Sequence, residues 1–263
     1  MAPVFYAKMI LQLTDEKWNV LKQLIPQDNS SGRPQKWEDR QILEAVLYVL
    51  SNGLKLRSLP SSFPPWQTVY QRFRQWEKQG YFIAIRDTLI DLVFENKDAL
   101  RVTFIDGTFV RVLCGGDEIG VTKLDKGNKI MALVDAYSRP IAALATSAQP
   151  HKITLVKDTL EDCPIASKIQ RIVGDRAYDS DPHDQVLAKK GIELIAAHKR
   201  NRKAPKTQDG RKLRRASLRW TVERFFAWMK PARRLLSRFD KRISVFQAFL
   251  NFFSIVALIK DAY

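Results

Sequence analysis

Three acids in this chain stand where an ordinary structural role is awkward. Asp106 interrupts FIDGTFV, a segment whose Val, Thr and Phe content reads as a strand. Carboxylates are depleted in central strands and costly to bury alone. Asp175 follows the strand-like run KIQRIVG, so it stands at a strand end, where the ligand sites of open sheets gather. Glu223 sits in LRWTVERFFAWMK, a helical pattern. At about 100° per residue, Arg219, Glu223 and Lys230 fall on one line of that helix, beside the face carrying Val222, Phe225 and Met229. A plain Arg219–Glu223 ion pair would also produce that line. Two carboxylates at one sheet end and a third from a packed helix can hold two Mg²⁺ ions, with Mn²⁺ as a substitute, about 3.5–4 Å apart. Such a pair activates a water or hydroxyl on one side of a phosphate and stabilises the departing oxygen on the other.

The charge pattern points to a phosphate-bearing partner. Net charge is +16, and residues 199–242 hold 17 Lys and Arg against Asp209, Glu223 and Asp240. Concentrated positive charge suits a polyanion, and nucleic acid is the commonest one. Trp220, Phe225, Phe226, Trp228 and Phe239 are interleaved with the cations, which predicts a packed stretch rather than a solvated tail. Arg214, Arg215, Arg219 and Lys230 are its candidate DNA contacts.

The elements that must position these residues fall into two parts. Residues 1–100 read as a helical domain and residues 101–263 as a catalytic domain. LTDEKWNVLKQLIP is a first helix capped by Thr14, and WEDRQILEAVLYVLSNG a second, ending at Gly53. After a Pro-broken connection, QTVYQRFRQWEKQG forms a third, with Val69, Phe73 and Trp76 on its apolar side. Tyr70, Gln71, Arg72 and Arg74 project elsewhere, as expected of the reading helix of a helix-turn-helix-like unit. A fourth helix, YFIAIRDTLIDLVFENKDAL, leads out. From residue 101 the period changes to three strands, helix (HKITLVKDTLEDC), strand, helix, strand, helices. That order suggests a mixed sheet covered by helices, as in ribonuclease H-like folds.

Several features carry structural rather than chemical readings. Asp135, Asp179 and Asp181 suit turns, and His151 suits a helix start. His183 and His198 lack metal-ligand spacing. Cys114 and Cys163 are too few for a disulfide framework. No phosphate-binding Gly-rich loop occurs, so no nucleotide cofactor is expected. The apolar run Ile243–Ile259 carries Ser244, Gln247, Asn251 and Ser254 on one stripe, which predicts a core helix with a polar edge and no membrane span.

Together these motifs resemble the bacterial insertion-sequence transposases of the DDE class. The group concerned closes on Tyr, two residues, Arg, three residues, Glu, six residues, Lys. Arg219, Glu223 and Lys230 match that spacing, while Ala216 stands where the family has Tyr. FIDGTFV resembles the family's first-Asp strand and GDRAYD its second-Asp motif. The stretch GRPQKWEDRQILEAVLYVLSNGLKLRSLPSSFPPWQTVYQRFRQW is similar to the helical domain preceding the catalytic core in one branch. The resemblance runs from about Leu13 to the C-terminus. It implies an α/β fold, with a ribonuclease H-like mixed sheet flanked by helices behind an all-α helix-turn-helix-like domain. Asp106, Asp175 and Glu223 would be the catalytic, metal-binding triad for two Mg²⁺ ions. Arg219 and Lys230 would hold phosphates, with Arg176 and Tyr178 assisting. Double-stranded DNA, both element ends and target, would be the partner of a homodimer in the cytoplasm, associated with the nucleoid. The expected activity is binding of terminal inverted repeats, end cleavage, and joining of the 3′ hydroxyl to target DNA. A nuclease without strand transfer and a silent DNA-binding remnant are the alternatives, and the presence of all three acids speaks against the remnant.

Overall fold

The computed structural model describes residues 12–25, 36–95, 100–123, 125–203, 205, 207 and 220–259. Four helices come first: α1 (Asp15–Leu24), α2 (Asp39–Asn52), α3 (Trp66–Lys78) and α4 (Tyr81–Val93). The Thr14 hydroxyl accepts from the Lys17 amide, and Asp15 and Glu16 stand at the positive end of α1. Glu38 and Gln41 form a reciprocal capping box on α2. Val69, Phe73 and Trp76 of α3 are buried, as their spacing predicts. Gly80 joins α3 to α4 at φ 72°, a conformation glycine adopts without steric cost.

The sheet follows. β1 (Thr103–Val112), β3 (Lys126–Val134) and β4 (Pro140–Ser147) form an antiparallel meander. β5 (Arg171–Gly174) runs parallel to β1, and β6 (Glu193–Ala196) parallel to β5. The order β4-β3-β1-β5-β6 is that of a ribonuclease H-like mixed sheet. Two short strands, β2 (Gly120–Val121) and β7 (Ser237–Arg238), extend the pairing of β3 and β1. Helix α5 (Val156–Glu161) packs on β3 and β4, α6 (Asp181–Ala188) on β6, and α7 (Trp220–Met229) on β1 and β3. The helix expected from His151 begins only at Val156. Residues before it form successive i→i+3 turns, Thr154 to His151, Leu155 to Lys152 and Val156 to Ile153. The Thr154 hydroxyl also donates to the His151 carbonyl, a local bond that competes with α-helix.

Helix α8 (Ile243–Ile259) is the centre of the core. It packs on α1, α3, α4 and β4, so one apolar cluster runs from the helical region into the sheet. Phe249 meets Phe73 at 4.6 Å, Phe252 meets Phe82 at 5.8 Å and Phe253 meets Phe225 at 5.8 Å between ring centroids. Among the described residues no helix is long and apolar enough to cross a membrane. The polar stripe of α8 has specific work. Gln247 accepts from the Ala145 amide at 2.7 Å and donates to the Ala143 carbonyl at 2.8 Å, pairing backbone groups on the edge strand β4. The Ala143 amide donates to Asp162. Asn251 accepts from the buried Arg86 of α4, which also holds Asp162 at 2.9 Å. A charge network therefore ties α4, α8 and the loop after α5 together. Cys114 is exposed and Cys163 buried, and both are free thiols.

Candidate active site

Asp106 lies within β1, and Asp175 is the first residue beyond β5. The parallel register pairs Phe104 with Val173, so two residues further on Asp106 stands level with Asp175. The backbone at Asp175 remains extended, with φ −80° and ψ −176°, which carries strand geometry through the carboxylate. Adjacent strands lie about 4.8 Å apart, so alternation brings the two acids to one face at neighbouring positions. Each carboxylate is anchored. Asp175 Oδ1 accepts from the Ala177 amide at 2.7 Å and caps the turn Arg176–Tyr178. Asp106 Oδ1 accepts from the Gly107 amide at 2.8 Å and from Lys152 Nζ at 2.6 Å. Beneath the second acid, Gly174 is needed for space: a Cβ there would meet the Tyr178 ring at 2.6 Å.

One cation is bonded to this pair, and a second holds the loop that carries it. Lys152 reaches it from the turns before α5, and Lys129 Nζ donates to the Pro150 carbonyl of the same loop. Burial, then the charge of Lys152, pushes the Lys129 ammonium below its ordinary pKa. Burial, then Lys199 and Lys129, lowers the pKa of His151, against an opposing pull from Asp175. Burial and the neighbouring lysines thus disfavour the charged imidazole. Lys199 is set by a separate cluster. Asp179 accepts from the Lys199 amide at 2.8 Å, contacts His198 at 2.9 Å and pairs with Arg202 at 3.0 Å. Burial raises the Asp179 pKa, but these donors together hold it below the usual carboxylate range. Arg202 also pairs with Asp181.

Glu223 is exposed on α7, next to the fully buried Val222. Among the described residues, no group of three or more Asp, Glu, His or Cys side chains converges closely enough to hold a metal. Asp106 and Asp175 are thus brought together, and Glu223 is not gathered into one cluster with them. The donor chemistry nevertheless fits a hard divalent cation, because both gathered ligands are carboxylates and Asp106 already carries a cation, the Lys152 ammonium.

The other sequence-derived residues divide into exposed, engaged and buried. Tyr70, Gln71, Arg74 and Lys78 of α3 line an open groove of about 530 Å³, together with Gln75, Gln79 and Arg242. Arg74 is paired with Glu77 at 2.5 Å. Arg72 turns away from the groove to Asp39 at 3.0 Å and lies over Trp76. Arg176 and Lys230 are exposed. Tyr178 is packed in the core at 0% exposure, so it presents no surface to a duplex. Its spacing after Asp175 could not show that the turn folds its ring back under Gly174. Arg214, Arg215, Ala216 and Arg219 lie outside the described residues. Asp135 is a turn residue: it is buried, accepts from the amides of Tyr137 and Arg139, and pairs with the Arg139 side chain. Sequence reasoning did not single out Lys129, Lys152 or Lys199. Only the folded path of the chain brings Lys152 onto Asp106, and AQPHKIT has no period or spacing that signals it.

Comparison with known proteins gives two adjoining family matches. A family described as "Putative transposase of IS4/5 family" matches residues 13–85, and the transposase DDE domain matches residues 97–258. Over 133 residues the chain is 33% identical to the "Putative transposase for insertion sequence element IS402" of Burkholderia cepacia, covering 48% of this chain and 59% of that protein. It therefore spans about six tenths of that relative's 100% length, at 59%. It is also 25% identical over 119 residues to the "Insertion element IS402 uncharacterized 16.2 kDa protein" of the same organism, covering 42% of this chain and 80% of that one. Among solved structures, a pre-cleavage Mos1 transpososome overlaps at TM-score 0.28 and 10% identity, covering 79% of this chain and 80% of that one. The Mos1 strand transfer complex overlaps at TM-score 0.29 and 11% identity, covering 81% and 83%. Overlaps that low add nothing to the fold, which rests on the strand order.

Proposed function

This chain belongs to the transposase DDE domain family, and from that premise we propose that it is a DNA transposase acting on the ends of its own insertion sequence. It binds the terminal inverted repeats, cleaves the ends, and joins each freed 3′ hydroxyl to target DNA. The observation that carries this reading is the pair Asp106 and Asp175, level on adjacent parallel strands, with the Lys152 ammonium on Asp106. Asp106 and Asp175, with Glu223 as the third acid, would hold the metal. Divalent cations held there would supply Lewis-acid activation of the attacking oxygen and charge neutralisation at the departing one. Cleavage and joining are both in-line displacements at phosphorus, water attacking in the first and the 3′ hydroxyl in the second, so one site serves both.

The chain's own groups bind and orient the DNA. Lys129, Lys152 and Lys199 supply positive charge at the scissile phosphate, and Arg176 and Lys230 extend that field along the backbone. Glu223 lies on α7, which packs on β1, the strand of Asp106, and would complete the acidic set from that side. Tyr70, Gln71, Gln75 and Lys78 form the reading face of α3: the glutamines are suited to base edges and Lys78 to phosphate. Residues 1–100 act as the end-binding part and residues 101–263 as the catalytic part. Joining two element ends to one target calls for two protomers.

The test is a supercoiled plasmid carrying the element's ends, incubated with Mg²⁺ and either wild type or Asp106→Asn, Asp175→Asn or Glu223→Ala. End-specific cleavage with joined products, lost in each variant, is the expected result. Cleavage without joining would instead indicate a nuclease, and cleavage that survives Glu223→Ala would return Glu223 to an ion-pair role.

A further inference from the structure

Lys152 holds a position that the catalytic reading does not explain by itself. Its ammonium lies 2.6 Å from Asp106 Oδ1, on the acid that should receive a metal. The pair is only partly shielded, with side-chain exposures of 27% and 15%, so the lysine is free to leave along its flexible stem. Its backbone is not free. Buried Ile153 and Leu155 hold the turn, and the bond from Lys129 to the Pro150 carbonyl pins the loop from the other side. The backbone is therefore anchored by packing, while the partly exposed ammonium has room to swing on its four-carbon stem. Lys129 and Lys199 act on the neighbouring His151, and the carboxylate at hand, Asp175, is itself read as a metal ligand, so once metal is bound neither acid of the pair is open to an ammonium leaving Asp106. The group that would accept it is an incoming anion.

We propose that Lys152 is a tethered cation that neutralises Asp106 until metal arrives, and then transfers to a phosphate of the bound DNA. This rests on the metal-binding reading of Asp106 and Asp175. A divalent ion on Asp106 would stand a few Å from an ammonium held on its Oδ1, and like charges at that separation repel, whichever carboxylate oxygen the ion takes. Metal entry thus favours displacement of Lys152, and the lysine opposes metal in the DNA-free protein. Once displaced, Lys152 and Lys129 form a two-lysine grip on the scissile phosphate. Metal and DNA then favour one another: metal releases the lysine that DNA needs, and DNA supplies the anion that keeps it off the carboxylate.

The experiment is Mn²⁺ binding to the 263-residue chain without DNA, by titration calorimetry, for wild type, Lys152→Met, Lys152→Gln, Lys152→Arg, Asp106→Asn and Asp175→Asn. Thermal unfolding of each variant confirms that it is folded, and the two neutral substitutions guard against failure of either one. The neutral variants should bind Mn²⁺ about fivefold or more tightly than wild type, a coupling of ordinary size. Lys152→Arg should stay near wild type, since it keeps a cation on Asp106. With Mn²⁺ and duplex DNA, Lys152→Met should also flatten the slope of log K against log salt by about one phosphate contact. Neutral variants that bind Mn²⁺ no more tightly than wild type would overturn the proposal. Unchanged Mn²⁺ binding in Asp106→Asn and Asp175→Asn would refute the metal site itself.

Discussion

Gly174→Ala tests the site without altering any charged group. An added Cβ would lie 2.6 and 2.7 Å from two Tyr178 ring carbons and 3.0 Å from its Cβ. Tyr178 has 0% exposure and cannot swing into solvent. The methyl must therefore push the ring, the turn Arg176–Tyr178 that carries it, and Asp175, which caps that turn through the Ala177 amide. Forcing a methyl into a packed site costs about 1–3 kcal/mol, and full burial of the ring argues for the upper part of that range. Displacing a reacting group by roughly 1 Å costs about a hundredfold in rate. The assays are denaturant unfolding and end cleavage with Mg²⁺. A double-mutant cycle with Tyr178→Ala isolates the clash. In that background only the Tyr178 Cβ position remains in the way, so Gly174→Ala should cost less than about 1 kcal/mol, a coupling of more than about 1 kcal/mol. A Gly174→Ala protein that unfolds at the wild-type midpoint, or additive costs in the cycle, would refute the reasoning.

Two further expectations concern stability. Arg86→Met removes the buried cation that bonds both Asp162 and Asn251, leaving the largely shielded Asp162 carboxylate without its ion-pair partner. It should destabilise the chain by about 3–5 kcal/mol, read from the urea midpoint, and a loss within 1 kcal/mol or so would show that the network contributes little. Burial, then Asp181 and Asp179, raises the pKa of Asp184 from 3.8 to about 6. A carboxylate with a raised folded-state pKa binds its proton more tightly in the native state, so this group lowers stability as pH rises from about 4 to about 6. Asp184→Asn should therefore be more stable than wild type above that window, by about 1 kcal/mol after allowance for solvent screening. The advantage, roughly 2–4 °C in Tm, should vanish near pH 4. An advantage that persists there would assign it to packing instead.

Much of this fold is legible in one sequence because burial imposes period. Val69, Phe73 and Trp76 mark the inner side of α3, and the polar stripe of α8 identifies a helix embedded in protein. Asp106 is conspicuous because a strand rarely carries an acid, and Asp175 because the strand pattern stops at it. What escapes notation is pairing between distant residues. Helix spacing allows the i,i+3 pair of Arg74 with Glu77, but it cannot tell that Asp39, 33 residues away, already neutralises Arg72. Lys152 is found only when the sheet is assembled, since 46 residues separate it from Asp106. The turns at residues 151–155 are equally hidden, because a Thr hydroxyl competing for a carbonyl leaves the apolar period intact.

The pairing of Gln247 with β4 also bears on how the chain comes into being. Strand β4 has β3 on one side, and on the other its Ala143 and Ala145 backbone groups are taken by side chains of Gln247 and Asp162. A second copy finds no free ladder at those positions, so sheet extension there is closed as a route to dimers or fibres. On the ribosome, however, Gln247 emerges about 100 residues after Ala145, roughly 5–20 s later at ordinary synthesis rates. During that interval the strand edge is open, and the apolar faces of α3 and α4 have no α8 to cover them. The nascent chain is therefore most prone to aggregate just before its function-bearing fold can close, and Gln247→Leu should lower the soluble yield more than it lowers the stability of the protein that does fold.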